Sequence, residues 1–305
     1  MNDGTYMGFV GVTTGHSSIM RVFPAWAEVL DLPTNTLIGH DVPLNAPPAV
    51  YADLVQRIAD DPNHRGALVT THKMAVYAAA KDRFAELDPL AGLFHEISSI
   101  SKSQAGLIGA ARDPITVRQS LEDFIPDDYF TSTGAAVLIL GVGGSGSALS
   151  HQLGCRTDQP STVICAARSQ ARIDELRDLH SRAGFAGDLF QYVIAPTAEE
   201  ADELLTELPP GSLVVNATGM GKDVPGSPLS DDAQFPKDAI AWEFNYRGTL
   251  EFMHQAERQA SRGVRVEDGW KYFVHGWAAV VADVFHLSLT PEIFDQLAES
   301  ASIVR

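Results

Sequence analysis

The sequence has 305 residues, 45% of them hydrophobic, and a formal net charge of −17 at pH 7. Because single hydrophobic cores rarely grow beyond about 250 to 300 residues, this length predicts two domains. The negative charge argues against nucleic acid or an anionic membrane surface as a partner, since both would repel the chain.

The sequence also indicates a compartment. The only cysteines are Cys155 and Cys165, and neither belongs to a metal-like cluster. They suggest a reducing environment without a disulfide framework, and we expect no bound metal. No apolar run approaches the roughly 18 residues of a membrane-spanning helix, and the amino terminus lacks the basic and apolar regions of a signal peptide. We therefore expect a cytoplasmic protein.

The amino-terminal part alternates predicted strands and helices. Strands are predicted over residues 6–12, 35–42 and 66–71, and helices over 18–30, 47–58 and 72–82. A hairpin is predicted to pair residues 96–101 with 106–109, and a further helix begins at Pro114. This alternation favours an α/β fold with a parallel sheet.

A polar segment, residues 125–134, carries turn residues and marks the predicted domain boundary. Beyond it, apolar strands are predicted over residues 135–140, 162–167, 190–194, 212–218 and 240–246, with helical segments between them. This order is typical of a doubly wound sheet. Residues 270–286 and 291–303 form predicted carboxy-terminal helices whose apolar face needs a partner surface.

Three glycines follow the strand at 135–140. Gly141, Gly143 and Gly146 have the spacing G-x-G-x-x-G, the fingerprint of dinucleotide-binding domains. The first glycine permits a sharp turn, the second lets the backbone approach the pyrophosphate, and the third lets the helix pack close to the strand. Amide donors and the positive helix end then face the phosphates. The alternative is a glycine-rich turn without a ligand.

Several separate stretches carry a further pattern along nearly the whole chain. They read His16-Ser17-Ser18-Ile19-Met20, Leu68-Val69-Thr70-Thr71-His72-Lys73, Gly109-Ala110-Ala111-Arg112-Asp113, Ala167-Arg168-Ser169, Asn216-Ala217-Thr218-Gly219-Met220, Phe244-Asn245-Tyr246-Arg247-Gly248-Thr249 and Asp268-Gly269. In this order they resemble the motifs of the shikimate and quinate dehydrogenase family, and the glycine loop is similar to that family's Gly-x-Gly-Gly. The cofactor half matches best.

The resemblance implies a two-domain α/β oxidoreductase with a cleft between its domains. Residues 1–124 would form an α/β substrate-binding and catalytic domain, completed by the helices in 270–305, and residues 125–269 a doubly wound Rossmann domain that binds NADP. The cofactor residues implied are Gly141, Gly143, Gly144, Ser145, Gly146, Arg168, Asn216, Ala217, Thr218, Gly219 and Met220. Family members act in aromatic amino acid biosynthesis, and we expect a small hydroxy acid as substrate and a homodimer as a possible assembly.

The resemblance also assigns the chemistry to Lys73 and Asp113. An alcohol that loses hydride must also lose a proton, and a buried lysine or a neighbouring aspartate can accept it while binding the hydroxyl. Without the resemblance, Lys73 is more typical of a solvated helix start and Asp113, before Pro114, of a helix N-cap. The substrate contacts implied are Ser17, Ser18, Thr70, Thr71, Ser98, Phe244 and His275.

The departures from the family pattern bear on the substrate. Polar family residues are replaced by Ser98, Ala111, Phe244, Ile19 (or a slipped Ser18) and Gly276. Each buried polar group left without a partner costs about 1 to 3 kcal/mol, so we expect poor turnover of shikimate and a related cyclic or branched hydroxy acid as the true substrate. Alternatively, Thr70, Thr71, Ser98 and His275 replace the lost contacts from shifted positions. His275, on an aromatic helix face, is also typical of a core residue.

The cofactor is expected to be NADP rather than NAD. The strand at 162–167 ends before Arg168, with no carboxylate there to bind a ribose 2′-hydroxyl, and an arginine suits a 2′-phosphate. The alternative is an exposed, salt-bridged arginine. A second functional hypothesis is a catalytically idle nucleotide-binding sensor or scaffold on the same fold, and a third is a dehydrogenase acting on an amino or methylene carrier substrate.

Overall fold

A computed structural model describes residues 4–185, 187–222 and 224–304. The strands are β1 (Tyr6–Gly11), β2 (Leu37–Asp41), β3 (His64–Val69), β4 (Phe84–Leu87), β5 (Ser99–Ser103), β6 (Gly106–Ala110), β7 (Val137–Leu140), β8 (Val163–Ala167), β9 (Phe190–Ile194), β10 (Leu213–Asn216), β11 (Ile240–Glu243) and β12 (Arg265–Glu267). The helices are α1 (Ile19–Val29), α2 (Pro48–Asp60), α3 (Lys73–Ala80), α4 (Pro89–Phe94), α5 (Asp113–Glu122), α6 (Tyr129–Thr133), α7 (Gly144–Cys155), α8 (Gln170–Arg182), α9 (Ala198–Thr206), α10 (Glu251–Glu257), α11 (Trp270–Phe285) and α12 (Pro291–Ala301).

The chain divides into two compact units. Unit 1 extends to Arg112 and resumes at Val274, and unit 2 is Asp113–Phe273. The division falls before α5 rather than in the polar segment 125–134, because α5 packs on α7 within unit 2. That segment also contains α6, whose first amides are held by a distant carboxylate: Asp158 accepts hydrogen bonds from the N–H groups of Phe130 (2.9 Å) and Thr131 (2.7 Å). The predicted substrate-binding and cofactor-binding roles of the domains stay predictions.

Unit 1 contains a six-stranded mixed sheet in the order β2-β1-β3-β5-β6-β4. The hairpin strand β5 is antiparallel to both of its neighbours, while the other pairs are parallel. Helix α12 packs on α1, where the indole N–H of Trp26 donates to the carbonyl oxygen of Leu297 (2.9 Å). The sequence did not predict β4 and α4, which are short.

Unit 2 contains a fully parallel sheet in the order β12-β11-β10-β7-β8-β9. Read from β9, the strands follow the order 3-2-1-4-5-6 of a doubly wound dinucleotide-binding domain, with β7 first in the chain. Its central strands are buried on both faces, which explains their uninterrupted apolar sequences. The predicted α/β fold class is confirmed.

No helix within the described ranges is both long and apolar enough to cross a bilayer.

A pair of histidines lies in the unit 1 sheet. The Nε2 atoms of His40 and His64 are 3.2 Å apart, and the Nδ1 atom of His64 accepts the N–H of Gly66 (3.2 Å). Neutral His64 therefore carries its proton on Nε2 and donates it to His40. A Cβ at Gly8 would lie 2.7 Å from the His64 ring, so only glycine fits there. Burial lowers the pKa of His64 to about 4 and also lowers the pKa of His40.

The lowered pKa of His64 predicts that the protein loses stability in acid. The pKa of His64 is about 4 in the folded chain against 6.5 ordinarily, so its stabilising contribution is present above pH 6.5 and is lost as the pH falls toward 4. We expect the free energy of unfolding of wild type to drop between pH 7 and pH 5 by about 2 kcal/mol more than that of His64→Gln. Urea titrations at both pH values measure this. The exposed His16→Gln should behave as wild type, and equal pH dependence of wild type and His64→Gln would contradict the assignment.

Candidate functional site

The glycine loop between β7 and α7 occupies the carboxyl edge of the unit 2 sheet. Gly141 has a φ of +91°, and a Cβ there would lie 2.8 Å from the methyl group of Thr218. A Cβ at Gly146 would collide with the carbonyl oxygen of Gly141. Gly143, the N-cap of α7, faces open space instead. The first and third glycines are therefore required by packing, whereas the second leaves room for a ligand to approach the backbone.

A cleft of about 450 Å³ opens at this loop. Its wall includes Gly141, Gly143, Arg168, Thr197, Thr218 and Met220. The structure thus brings together glycine-loop, strand-end and Asn-Ala-Thr residues that are distant in sequence. Gly144, Ser145 and Gly146 belong to α7, which begins beside the cleft, so its amide-rich amino end is available to phosphate groups. These residues fit a dinucleotide.

Arg168 lies at the rim of this cleft, directly after β8. Its side chain is exposed, and within the described residues it forms no ion pair. Arg172, one turn further on, also lines the cleft but is bound to Glu175 (2.6 Å). The alternative interpretation, a salt-bridged surface arginine, therefore applies to Arg172 and not to Arg168. The exposed guanidinium of Arg168 is available for a phosphate group.

The turn after β10 forms another part of the cleft wall. The Asn216 Oδ1 atom accepts the N–H (3.1 Å) and the hydroxyl (2.6 Å) of Thr218, and the Thr218 hydroxyl accepts the N–H of Met220 (3.1 Å). These local bonds fix the conformation of a segment that also includes Ala217 and Gly219. Asn216 is fully buried, whereas Ala217, Thr218 and Met220 line the cleft. Asn216 is therefore placed to support the turn.

In unit 1, three predicted site residues lie at one edge of the sheet. The N–H of Thr70 donates to Val10 (3.0 Å) at the end of β1, and that of Val69 to the carbonyl of Ser98 (2.8 Å). The carbonyl of Lys73 accepts the N–H of Ile97 (3.1 Å). Thr70, Lys73 and Ser98 are therefore neighbours along the backbone of this edge. Lys73 is half-buried, and Thr71 is exposed.

His72 anchors the turn that presents Lys73. It is 3% exposed, and its Nε2 atom lies 2.8 Å from the carbonyl oxygen of Val42, which can only accept. Nε2 therefore carries the proton, and in the neutral ring Nδ1 accepts the hydroxyl of Tyr51 (3.2 Å). The sequence motif contained this residue, but its role depends on partners 30 and 21 residues away.

The loop that carries Ser17 and Ser18 follows β1 and is held by Asp41. The Asp41 Oδ1 atom accepts the N–H (2.8 Å) and the hydroxyl (2.6 Å) of Thr14, and these bonds hold the pKa of Asp41 below its usual value. Ser17 in turn donates its N–H to Thr14 (2.9 Å). Both serines are half-buried.

Three residues predicted to contact substrate have contacts with other protein groups. The Ser98 hydroxyl accepts the N–H of Arg112 (2.7 Å), and the His275 ring stacks on Phe294 with centroids 3.9 Å apart. Phe244 stacks on Tyr272 at 4.8 Å. The core interpretation of His275 matches this environment, since the residue is 8% exposed.

Tyr272 was not identified from the sequence. Its hydroxyl donates to the hydroxyl of Ser145 at the start of α7 (3.0 Å), so a phenol stacked on Phe244 reaches the glycine loop. The signal in the sequence was only a tyrosine four residues after Asp268 on an aromatic helix, which does not distinguish packing from function.

Asp113 is the first residue of α5 and is 9% exposed. The residue before it, Arg112, is fixed within unit 1: its guanidinium contacts Asp283 (2.5 and 2.9 Å) and Asp88 (3.0 Å). Asp88 also accepts the N–H of Ala91 (2.6 Å) and so caps α4. The chain therefore enters α5 from a constrained position.

Within the described ranges, no group of three or more His, Cys, Asp or Glu side chains could hold a metal ion.

Replacing Gly146 by alanine should impair stability, whereas replacing Gly143 by alanine should impair cofactor binding. Gly146→Ala should lower the melting temperature by several degrees, because its Cβ collides with the Gly141 carbonyl. Gly143→Ala should keep the wild-type melting temperature but weaken binding of NADP by about tenfold or more, because its methyl group occupies the space that a ligand needs. Thermal denaturation and fluorescence titration with NADPH separate these effects. A Gly143→Ala variant that binds NADPH as tightly as wild type would contradict the assignment.

No family model matches the sequence. Among curated proteins, the chain is 28% identical over 185 residues to a shikimate dehydrogenase (NADP(+)) of Lactococcus lactis subsp. cremoris, a match covering 60% of this chain and 61% of the relative. It is 26% identical over 269 residues to a shikimate dehydrogenase (NADP(+)) of Methylobacterium radiotolerans, covering 87% and 86%. The chain thus matches only about three fifths of the length of the first relative.

Solved structures share the fold. A shikimate 5-dehydrogenase from Thermus thermophilus, in complex with NADP(H) and shikimate, has a TM-score of 0.71 at 22% identity, covering 97% of this chain and 99% of that one. A quinate dehydrogenase from Corynebacterium glutamicum, in complex with NAD, has a TM-score of 0.75 at 17% identity, covering 97% and 98%. The predicted resemblance to shikimate and quinate dehydrogenases is confirmed, at low sequence identity.

Proposed function

We propose that this protein is an NADP-dependent oxidoreductase that reversibly oxidises a ring hydroxyl of shikimate or of a related cyclic hydroxy acid. The observation that carries the proposal is the unit 2 cleft, where a glycine loop open at Gly143 adjoins the exposed guanidinium of Arg168. The resemblance to shikimate dehydrogenases (NADP(+)) supports both the cofactor and the class of reaction.

The chain's own residues would accept the proton that the substrate hydroxyl loses. When bound, NADP⁺ supplies the acceptor for the hydride that leaves the alcohol carbon. Lys73, at the half-buried start of α3, would bind the reacting hydroxyl and take its proton at Nζ, and Asp113 would complete the catalytic pair. His72 holds the Lys73 turn through Val42 and Tyr51, so the Lys73 side chain starts from a fixed backbone. Ser17, Ser18, Thr70 and Thr71 would supply hydrogen bonds to the remainder of the substrate.

The substrate is proposed to differ from shikimate in its ring substituents. Ala111 and Ile19, which replace polar family residues, are fully buried and cannot bind a hydroxyl. Of the four residues offered as replacements, the Ser98 hydroxyl already accepts the N–H of Arg112, and the His275 ring packs against Phe294. With two contacts missing, shikimate would lose roughly 2 to 6 kcal/mol of transition-state binding.

The predicted homodimer and cytoplasmic location stay predictions.

A substrate screen tests the proposed function. The purified chain is mixed with NADP⁺ or NAD⁺ and with shikimate, quinate and a panel of cyclic and branched hydroxy acids, and absorbance of the reduced nicotinamide is followed. We expect turnover of at least one acid with NADP⁺, and a kcat/KM for shikimate well below about 10⁴ M⁻¹s⁻¹. Tight NADP binding without turnover of any acid would favour the sensor or scaffold hypothesis. A shikimate efficiency in the usual enzymatic range would show that the pocket still fits shikimate.

Arg168 should determine the preference for NADP. Arg168→Ala should weaken NADP binding by about 10- to 100-fold, the value of one charge-assisted contact to the 2′-phosphate, and leave NAD binding unchanged. Isothermal titration with both cofactors measures this. Arg177→Ala is the matched control, because Arg177 is an exposed arginine of α8 that pairs with Asp174 and lies outside the cleft. An unchanged NADP affinity in Arg168→Ala would refute the role.

Lys73 and Asp113 should behave as one catalytic unit. Lys73→Met and Asp113→Asn should each lower kcat by about 10²-fold or more while cofactor affinity stays within about twofold, and the double variant should lose little beyond either single one. Steady-state kinetics on the best substrate of the screen test this. Lys81→Met, at the exposed far end of α3, should retain wild-type kinetics. Near-wild-type turnover by either single variant would exclude the pair.

A further inference from the structure

A fully buried carboxylate lies behind the cofactor cleft. Glu243 ends β11, whose other residues, Ile240, Ala241 and Trp242, are apolar and buried. An ionisable side chain in such a strand is costly unless its charge is matched by hydrogen-bond donors. The mechanism above does not use this residue, and the sequence motifs did not single it out.

The donors come from both sides of the strand end. The Oε2 atom of Glu243 accepts from the side-chain amide of Asn216 (2.7 Å). Its Oε1 atom accepts both the backbone N–H (2.8 Å) and the side-chain amide (2.7 Å) of Asn245. All three partners are N–H donors, and among the described residues no acceptor bonds to the carboxyl group. This arrangement suits the ionised form, because a protonated carboxyl group would have nothing to which it could donate.

The same two asparagines hold the turn after β10. Their amide groups also donate to the carbonyl oxygen of Met220, at 3.2 Å from Asn216 and 3.0 Å from Asn245. Asn216 further binds Thr218 through its other side-chain atom. Glu243 thus fixes the orientation of both asparagines, and they fix the segment whose residues Thr218 and Met220 line the cleft.

From these contacts we propose that Glu243, when ionised, is a positioning residue for the dinucleotide, and that its protonation releases the turn and weakens cofactor binding. The inference rests on the proposed function, since it concerns the same cleft. Among the described residues, Glu243 is not one of those that line the cleft, and it acts through Asn216 and Asn245.

The surroundings of Glu243 place its protonation near neutral pH. Burial raises the pKa of Glu243 to about 7, against the three hydrogen bonds, which lower it. Glu251 at the start of α10 raises the pKa further, while its own carboxylate is held by the Thr249 hydroxyl (2.5 Å). The neighbouring strand β12 contributes Arg265 and Glu267, which do not bond to Glu243, and β10 contributes no titratable side chain. Cofactor affinity should therefore fall as the pH drops below 7.

The test compares the pH dependence of NADP binding in wild type and Glu243→Gln, from pH 5.5 to 8.5, by fluorescence titration with NADPH. The glutamine keeps the shape but not the charge, and its amide would face the amides of Asn216 and Asn245. At pH 8 the variant should bind about tenfold or more weakly, and this ratio should shrink as the pH falls and wild type becomes protonated. Using the ratio removes the titration of the 2′-phosphate itself, which affects both proteins equally. Glu257→Gln, on the exposed side of α10, should bind as wild type at every pH.

The outcomes separate the two proposals. If wild type binds neither NADP nor NAD at any pH, the proposed function is wrong and this inference falls with it. If wild type binds NADP and the ratio of affinities stays constant across the pH range, or if both proteins bind equally, only the role of Glu243 is excluded. Should Glu243→Gln not fold, Asn245→Ala replaces it. That variant removes one of the three donors, the Asn245 side-chain amide, so the midpoint of its pH profile should move upward, and an unchanged midpoint would overturn the inference.

Discussion

The contact between Gly146 and the carbonyl oxygen of Gly141 is the constraint on which the cofactor half of the protein depends. Because no side chain intervenes, α7 begins directly against the end of β7, and its first amides point to the space beside Gly143. The same proximity brings Gly141 against Thr218, so the loop after β7 and the turn after β10 share one wall. A cleft suited to phosphate groups follows from backbone geometry before any charged side chain is considered.

Hydrogen bonds from polar side chains then hold the turns that carry the proposed site residues. His72 is locked in one tautomer by a carbonyl and a phenol, and Asp41 accepts two bonds from Thr14, so the turns carrying Lys73 and Ser17 are each tied to a neighbouring strand. In unit 2, Asn216 and Asn245 serve the same purpose for the turn at Met220. In each case the proposed site residue is exposed or half-buried, and the side chain that orients it is hydrogen-bonded to a neighbouring segment, as expected when a site must stay accessible yet keep its geometry.

The fold was largely predictable because it rests on local signals. The strand at 190–194 has the predicted bounds, β7 and β8 match theirs closely, and the doubly wound order follows from apolar strands separated by helices. Short elements such as β4, α6 and β12 escaped prediction because tertiary partners, among them Asp158 for α6, determine them. The glycine turn around Gly143 was predictable because a tight strand-to-helix connection constrains the backbone, which leaves a pattern in the sequence. Ser98, His275 and Glu243 were harder, because only distant partners decide whether a hydroxyl, ring or carboxylate faces a ligand or the interior.

The guanidinium of Arg112, held between Asp88 and Asp283, limits which single substitutions unit 1 can tolerate. Replacing the arginine alone would leave two partly buried carboxylates without a counter-charge, and replacing either aspartate would leave the arginine half matched. A change at any one of the three positions is therefore costlier than a joint replacement by well-packed apolar side chains.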